Sequence, residues 1–152
     1  MKITRIFYSQ PVDFLEKEAI KNSIKKIENL LSDMSVKIIA PYLHETIDIA
    51  ALSKNDAKKI IEKDIVNVKS CDILLADLSN DKRQAIGIPF EMAAAYFNNI
   101  KIIVYTGSSL KMPKRVWVLA TSFQICDNWF DVKKAISNLI RTTNRVVNGV
   151  VA

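Results

Sequence analysis

The chain has 152 residues, 49% apolar, 25% charged and 8% aromatic, with 22 Lys and Arg against 16 Asp and Glu. At this length roughly 70% of the unfolded surface is buried on folding, enough for one full core, so disordered and fibrous classes are excluded. One histidine, His44, and two cysteines, Cys71 and Cys126, exclude a Cys/His zinc site and a disulfide framework, and point to a reduced, cytoplasmic setting.

Ile3 to Tyr8 predicts a strand ended by the breaker Ser9-Gln10-Pro11, with too short an apolar run for a secretory signal. Asp13 to Met34 predicts a helix, since Ile20, Ile24, Ile27, Leu30 and Leu31 follow Phe14 at helical spacing. Ser35 to Ala40 is a second strand stopped by Pro41, and Tyr42 to Asn55 a loop. Ser53 or Asn55 caps the next helix, which carries Ile60, Ile61, Ile65 and Val68 as its apolar stripe up to Lys69. Asp72 to Leu78 is nearly continuous apolar sequence bracketed by acids, the pattern of a strand buried on both faces of a parallel sheet. A polar loop, Ser79 to Gln84, precedes a helix from Gly87 to Asn98 whose Ala93, Ala94 and Ala95 let it lie close against the sheet. Lys101 to Tyr105 predicts a fourth strand, Thr106 to Ser109 a turn, Pro113 to Ala120 a weakly marked helix, Phe123 to Cys126 a fifth strand and Trp129 to Val147 a closing helix.

Strands alternating with helices predict a single α/β domain over residues 1–152, an open, doubly wound, mostly parallel five-stranded sheet of flavodoxin or Rossmann type. Ligands of such sheets bind outside the carboxyl ends of the strands, here the loops beginning near Tyr8, Ala40, Asp77 and Tyr105. No apolar stretch approaches the roughly 18 to 20 residues that span a bilayer, so no membrane association is expected. Glycine is scarce: Gly87, Gly107 and Gly149 stand where average usage gives roughly ten. Neither a dinucleotide-binding fingerprint nor a phosphate loop can be built from them. The net charge of +6 is spread over helix faces, at Lys21, Lys25, Lys26, Lys58, Lys59, Lys133 and Lys134 among others, without the interleaved aromatics of a nucleic-acid surface.

The informative constellation is acidic: Asp64, Asp72, Asp77 and Glu91. Asp64 lies on the helix before the third strand, Asp72 opens that strand and Asp77 closes it. Glu91 sits one turn into the next helix, behind Pro89, which a helix start tolerates, and Gly87, which permits a tight entry. A helix N-terminus favours a carboxylate and keeps it ionised, suiting a nucleophile or the partner of a developing cation. Each acid also has a plain reading, Glu91 as an early-helix acid and Asp72 and Asp77 as turn or cap residues.

In order and spacing these residues resemble the nucleoside 2-deoxyribosyltransferase family and its relatives, the 2'-deoxynucleoside 5'-monophosphate N-hydrolases. The resemblance rests on Asp64 with Asp72 eight positions later, on Gly87-Ile88-Pro89-Phe90-Glu91, and on the Ala-rich helix running into Asn99-Ile100-Lys101-Ile102-Ile103-Val104-Tyr105. It implies that Glu91 is the nucleophile attacking C1' of the sugar. Asp64 would orient the substrate or pass a proton to the departing base. Cleaving an N-glycosidic bond builds positive charge at C1' and negative charge on the base, the two-carboxyl logic of retaining glycosidases. Transfer to a second base or to water would then distinguish transferase from hydrolase.

The resemblance also implies substrate contacts at Phe7, Tyr8, Ser9, Gln10, Asp77, Ser79, Gly87 and Arg115, no cofactor or metal, and a homodimer or larger homo-oligomer. Three positions depart from the family pattern. Ser9-Gln10-Pro11 replaces a glycine-containing loop, and Ala85 replaces the Asp or Ser that meets the sugar, so Ser79, Lys82 or Gln84 would substitute. Lys111, Lys114 and Arg115 occupy the segment that lends an Asn across the subunit interface. Cations gained near the expected 5'-end suit a phosphorylated nucleotide.

A non-catalytic nucleotide-binding relative, an NAD-cleaving domain and a receiver-like signalling domain with Asp77 as phosphoacceptor fit the same topology. The last would need an acidic pair where Tyr8-Ser9-Gln10 stands. His44 is placed in a loop that either reaches the site or is simply exposed. Trp117 and Trp129 read as core or subunit-interface residues.

Overall fold

The computed structural model describes residues 3–11, 17–40, 53–80 and 87–147. Their elements run β1 (Thr4–Ser9), α1 (Lys17–Leu30), β2 (Val36–Ile39), α2 (Lys54–Lys69), β3 (Ile73–Asp77), α3 (Gly87–Phe97), β4 (Lys101–Tyr105), α4 (Val116–Thr121), β5 (Gln124–Cys126) and α5 (Trp129–Val147). The first residues of the predicted first helix and the loop from Tyr42 to Leu52 lie outside the described residues. The sheet order is β2-β1-β3-β4-β5 and every pairing is parallel, so the expectation of a mostly parallel sheet becomes an entirely parallel one.

Period-two alternation sorts the strand side chains onto two layers. Ile6 and Tyr8 of β1, Ile73 and Leu75 of β3 and Ile103 of β4 pack against Ile20, Ile24 and Ile27 of α1 and Val132, Ala135 and Ile136 of α5. Phe7, Leu74, Ala76, Ile102 and Val104 face the other way, onto Val68 of α2, Ile88, Met92 and Ala95 of α3 and Val118 of α4. Helices thus cover both faces of β3, which is why its sequence reads apolar throughout rather than alternating.

The helix ends follow from local chemistry. Ser53 caps α2, its Oγ accepting from Asp56 N at 3.2 Å. α3 stops at Asn99, which takes the left-handed conformation (φ 56) that Asn tolerates, while Ile100 N donates back to Ala95 O at 3.0 Å. The weakly marked helix after the fourth strand is two pieces, a 3-10 turn (Met112–Lys114) and α4, separated by extended backbone at Arg115 (φ -68, ψ 130).

Strand order reverses between β1 and β3, and at that point Ser9 pairs in register with Ala76. The crevice beyond these two carboxyl ends is where an open α/β sheet takes its ligand.

Candidate active site

At the carboxyl edge, alternation divides the polar side chains into two groups on opposite faces of the sheet. Ser9 shares the face of Phe7, beneath α2 and α3, and its hydroxyl donates to Glu91 Oε2. Asp64 approaches from α2. It stands four residues before Val68, on that helix's inward stripe, and is 6% exposed. An acid in a stripe position that packing would give to an apolar residue is the signal for it in the sequence. Ser9 and Asp64, both buried, and the half-buried Glu91 therefore form one cluster drawn from β1, α2 and α3.

The electrostatics of Glu91 correct one expectation. Position near a helix start predicts an ionised carboxyl. Instead its pKa is pushed up to about 8, chiefly by burial and further by the like charge of Asp64, with the Ser9 hydroxyl pulling in the opposite direction. Desolvation of a charge outweighs the modest field of one helix terminus.

The second group lies on the α1 and α5 face. Tyr8 donates its hydroxyl to Asp77 Oδ2 at 2.8 Å, and Ser79 donates to Asp77 Oδ1 from both its backbone N (3.0 Å) and its Oγ (2.6 Å). Burial first, and Asp77 second, hold the Tyr8 hydroxyl protonated far above the ordinary tyrosine range. Behind this group Tyr105 packs on Trp129 with ring centroids 3.9 Å apart. Gly107 closes it: its φ is +54 and a Cβ there would stand 3.0 Å from Ser79 Cβ. In the sequence Gly107 marks only a turn; the positive φ and the contact with Ser79 arise from tertiary packing.

The predicted site residues separate accordingly. Glu91, Asp64 and Ser9 come together. Tyr8, Asp77 and Ser79 form a cluster of their own at the exit of β3, on the opposite face of the sheet from Glu91. Phe7 is 0% exposed and packs in the core beneath α2 and α3, on the same face as Ser9. Gln10, one residue past Ser9 and so on the opposite face, accepts a hydrogen bond from Ser23 of α1. At Gly87, the first residue of α3, φ is not positive, and among the described residues a Cβ would meet nothing within 4 Å. Asp72 lies at the other end of β3, accepting from Arg5 N at 2.8 Å, and belongs to the strand pairing. Lys111, Lys114 and Arg115 are exposed in the connection that leaves β4, and none forms an ion pair among the described residues. His44, Lys82, Gln84 and Ala85 lie outside the described residues.

Among the described residues no three His, Cys, Asp or Glu side chains are grouped to hold a metal ion. No helix there is long and apolar enough to cross a membrane. What the arrangement offers is a desolvated carboxyl, a neutral hydroxyl donor and a second acid near the carboxyl ends of β1 and β3, where the strand order reverses. Such a set can stabilise and trap a carbon centre that becomes cationic.

A family model described as nucleoside 2-deoxyribosyltransferase matches residues 7–143. Among solved structures, a 2-deoxyribosyltransferase from Bacillus psychrosaccharolyticus superposes with a TM-score of 0.65 at 18% identity, over 86% of this chain and 90% of that one. A conserved protein from Enterococcus faecalis V583 gives 0.69 at 16% identity, over 90% and 99%. The CMP N-glycosidase BcmB of Clostridium botulinum gives 0.54 at 18% identity, over 88% and 98%. No curated protein matches the chain by sequence.

Proposed function

Since the chain belongs to the nucleoside 2-deoxyribosyltransferase family, we propose that it cleaves or transfers at the N-glycosidic bond of 2'-deoxynucleosides or their 5'-monophosphates, with Glu91 as nucleophile. The observation that carries this reading is the buried Glu91 carboxyl, bonded to Ser9 and facing the charge of Asp64 at the strand-switch crevice.

The chemistry follows from that placement. A carboxylate stripped of water is costly to keep ionised, and positive charge developing at C1' beside it removes that cost as the C1'–N bond breaks. The base leaves with the bonding electrons and takes up a proton: the raised Glu91 carboxyl and Asp64 share one proton, which passes to Asp64 as Glu91 ionises to attack and from Asp64 to the base. The sugar closes onto a Glu91 oxygen as an ester, and attack on C1' by a second base or by water releases it. Relatives in the fold are named both as a transferase and as an N-glycosidase, so each acceptor has a counterpart.

Two further elements belong to the reading. The cations Lys111, Lys114 and Arg115 meet a 5'-phosphate, consistent with their exposure and lack of acidic partners among the described residues. A second copy of the chain covers the outer faces of α3 and α4. Phe90 and Phe97 of α3 and Val116 and Leu119 of α4 are 67%, 81%, 81% and 60% exposed there, and Leu110, in the connection between β4 and α4, is 82% exposed. Together they present on the order of 600 Å² of apolar surface, at the top of the range for a monomer and close to one side of a standard interface.

The test is chromatographic detection of free base from a panel of deoxynucleosides and deoxynucleoside monophosphates, with and without an acceptor base. Release by the wild type and a loss of about a thousand-fold or more in Glu91→Ala are expected for removal of a nucleophile. Undiminished release by the variant, or none from any substrate, contradicts the reading.

A further inference from the structure

We propose that Ser9 is the positioning residue of the attacking carboxylate: its hydroxyl holds Glu91 Oε2 and so presents Oε1 to C1'. This rests on the reading of Glu91 as nucleophile, and it moves Ser9 from the substrate contacts to the machinery behind Glu91.

Three observations support it. Ser9 is 1% exposed and its Oγ donates to Glu91, so the hydroxyl is committed to that partner rather than to solvent. Its backbone ends a central strand, with β2 on one side and β3 on the other, in register with Ala76. A donor mounted there holds its direction better than one on a loop. Alternation also leaves no substitute in the neighbouring chain. Phe7 faces the same side with no polar atom, whereas Tyr8 and Gln10 face the other side and are engaged by Asp77 and Ser23. The charged group that perturbs Glu91 among the described residues is Asp64, of like sign. The Ser9 hydroxyl is thus the neutral donor that favours the ionised carboxylate against burial and repulsion.

The experiment compares wild type, Ser9→Ala and Ser9→Thr by pH profiles of kcat and KM and, without substrate, by 13C titration of the Glu91 side-chain carboxyl, assigned by its loss in Glu91→Gln. In Ser9→Ala we expect kcat/KM to fall about ten-fold. Its acidic limb and the 13C midpoint should both move up by about one pH unit, with KM unchanged. Ser9→Thr, which keeps the donor, restores both. An unmoved limb and midpoint, or a raised KM on an unmoved profile, overturns the proposal. If Ser9→Ala does not fold, Ser9→Cys, similar in shape with a weak donor, carries the same test. The titration needs no turnover, so loss of the Ser9 effect is distinguished from failure of the nucleophile reading, which Glu91→Ala decides.

Discussion

Burial and the neighbouring Asp64 charge raise the Glu91 carboxyl from an ordinary 4.5 to about 8, and this ties the reactivity of the residue to the stability of the fold. Between those two pH values the folded chain holds a proton that the unfolded chain has released. Stability contributed by this group therefore falls as pH rises from about 4.5, and the cost is complete above about 8. Glu91→Gln removes the charge and keeps an acceptor for Ser9. It is expected to raise the melting temperature by roughly 5 °C or more at about pH 9, with no gain at about pH 4. Calorimetry at the two pH values checks this, and equal or lower melting temperatures for the variant at about pH 9 contradict it. The spacing of acids made Glu91 and Asp64 visible in the sequence, because motif order survives without coordinates. The direction of the Glu91 shift was not visible, since desolvation depends on what three separate segments place around one carboxyl.

At the level of elements, β3 and β4 were legible because a strand covered on both faces reads as an unbroken apolar run. α1 was legible through Ile20, Ile24 and Ile27 on one stripe. Which face each polar residue of β1 occupies was also implicit in the two-residue period. Phe7 and Ser9 point one way, Tyr8 and Gln10 the other, and applying that rule separates the Glu91 cluster from the Asp77 cluster. The glycines were harder. Gly87 stands out in the sequence by its place before Glu91, whereas it is Gly107 that carries the positive φ and the contact with Ser79. The outer faces of α3 and α4 bear on assembly. Phe90 and Phe97 are two helical turns apart on one side of α3, and α4, with Val116 and Leu119, packs beside it. Sedimentation equilibrium is expected to find a dimer or larger assembly, shifted toward monomer by Phe97→Asp. A monomeric wild type at tens of micromolar contradicts the covered face.

For the molecule as a whole, the α/β class and the family were readable because both reside in the order and spacing of elements, and the family match over residues 7–143 covers that order. The division of the carboxyl edge into a Glu91 face and an Asp77 face was not readable from motifs alone, because it comes from sheet register. On the proposed function, the face holding Ser9, Asp64 and Glu91 is the one that would form a covalent bond to the sugar. The most direct test is mass spectrometry of protein quenched in acid during turnover of a deoxynucleoside or its monophosphate, with peptide mapping. The account predicts an added mass of one deoxyribosyl unit, or its 5'-phosphate, on the peptide containing Glu91, and none in Glu91→Ala. Continued base release with no adduct on that peptide, or an adduct that persists in Glu91→Ala, would contradict it.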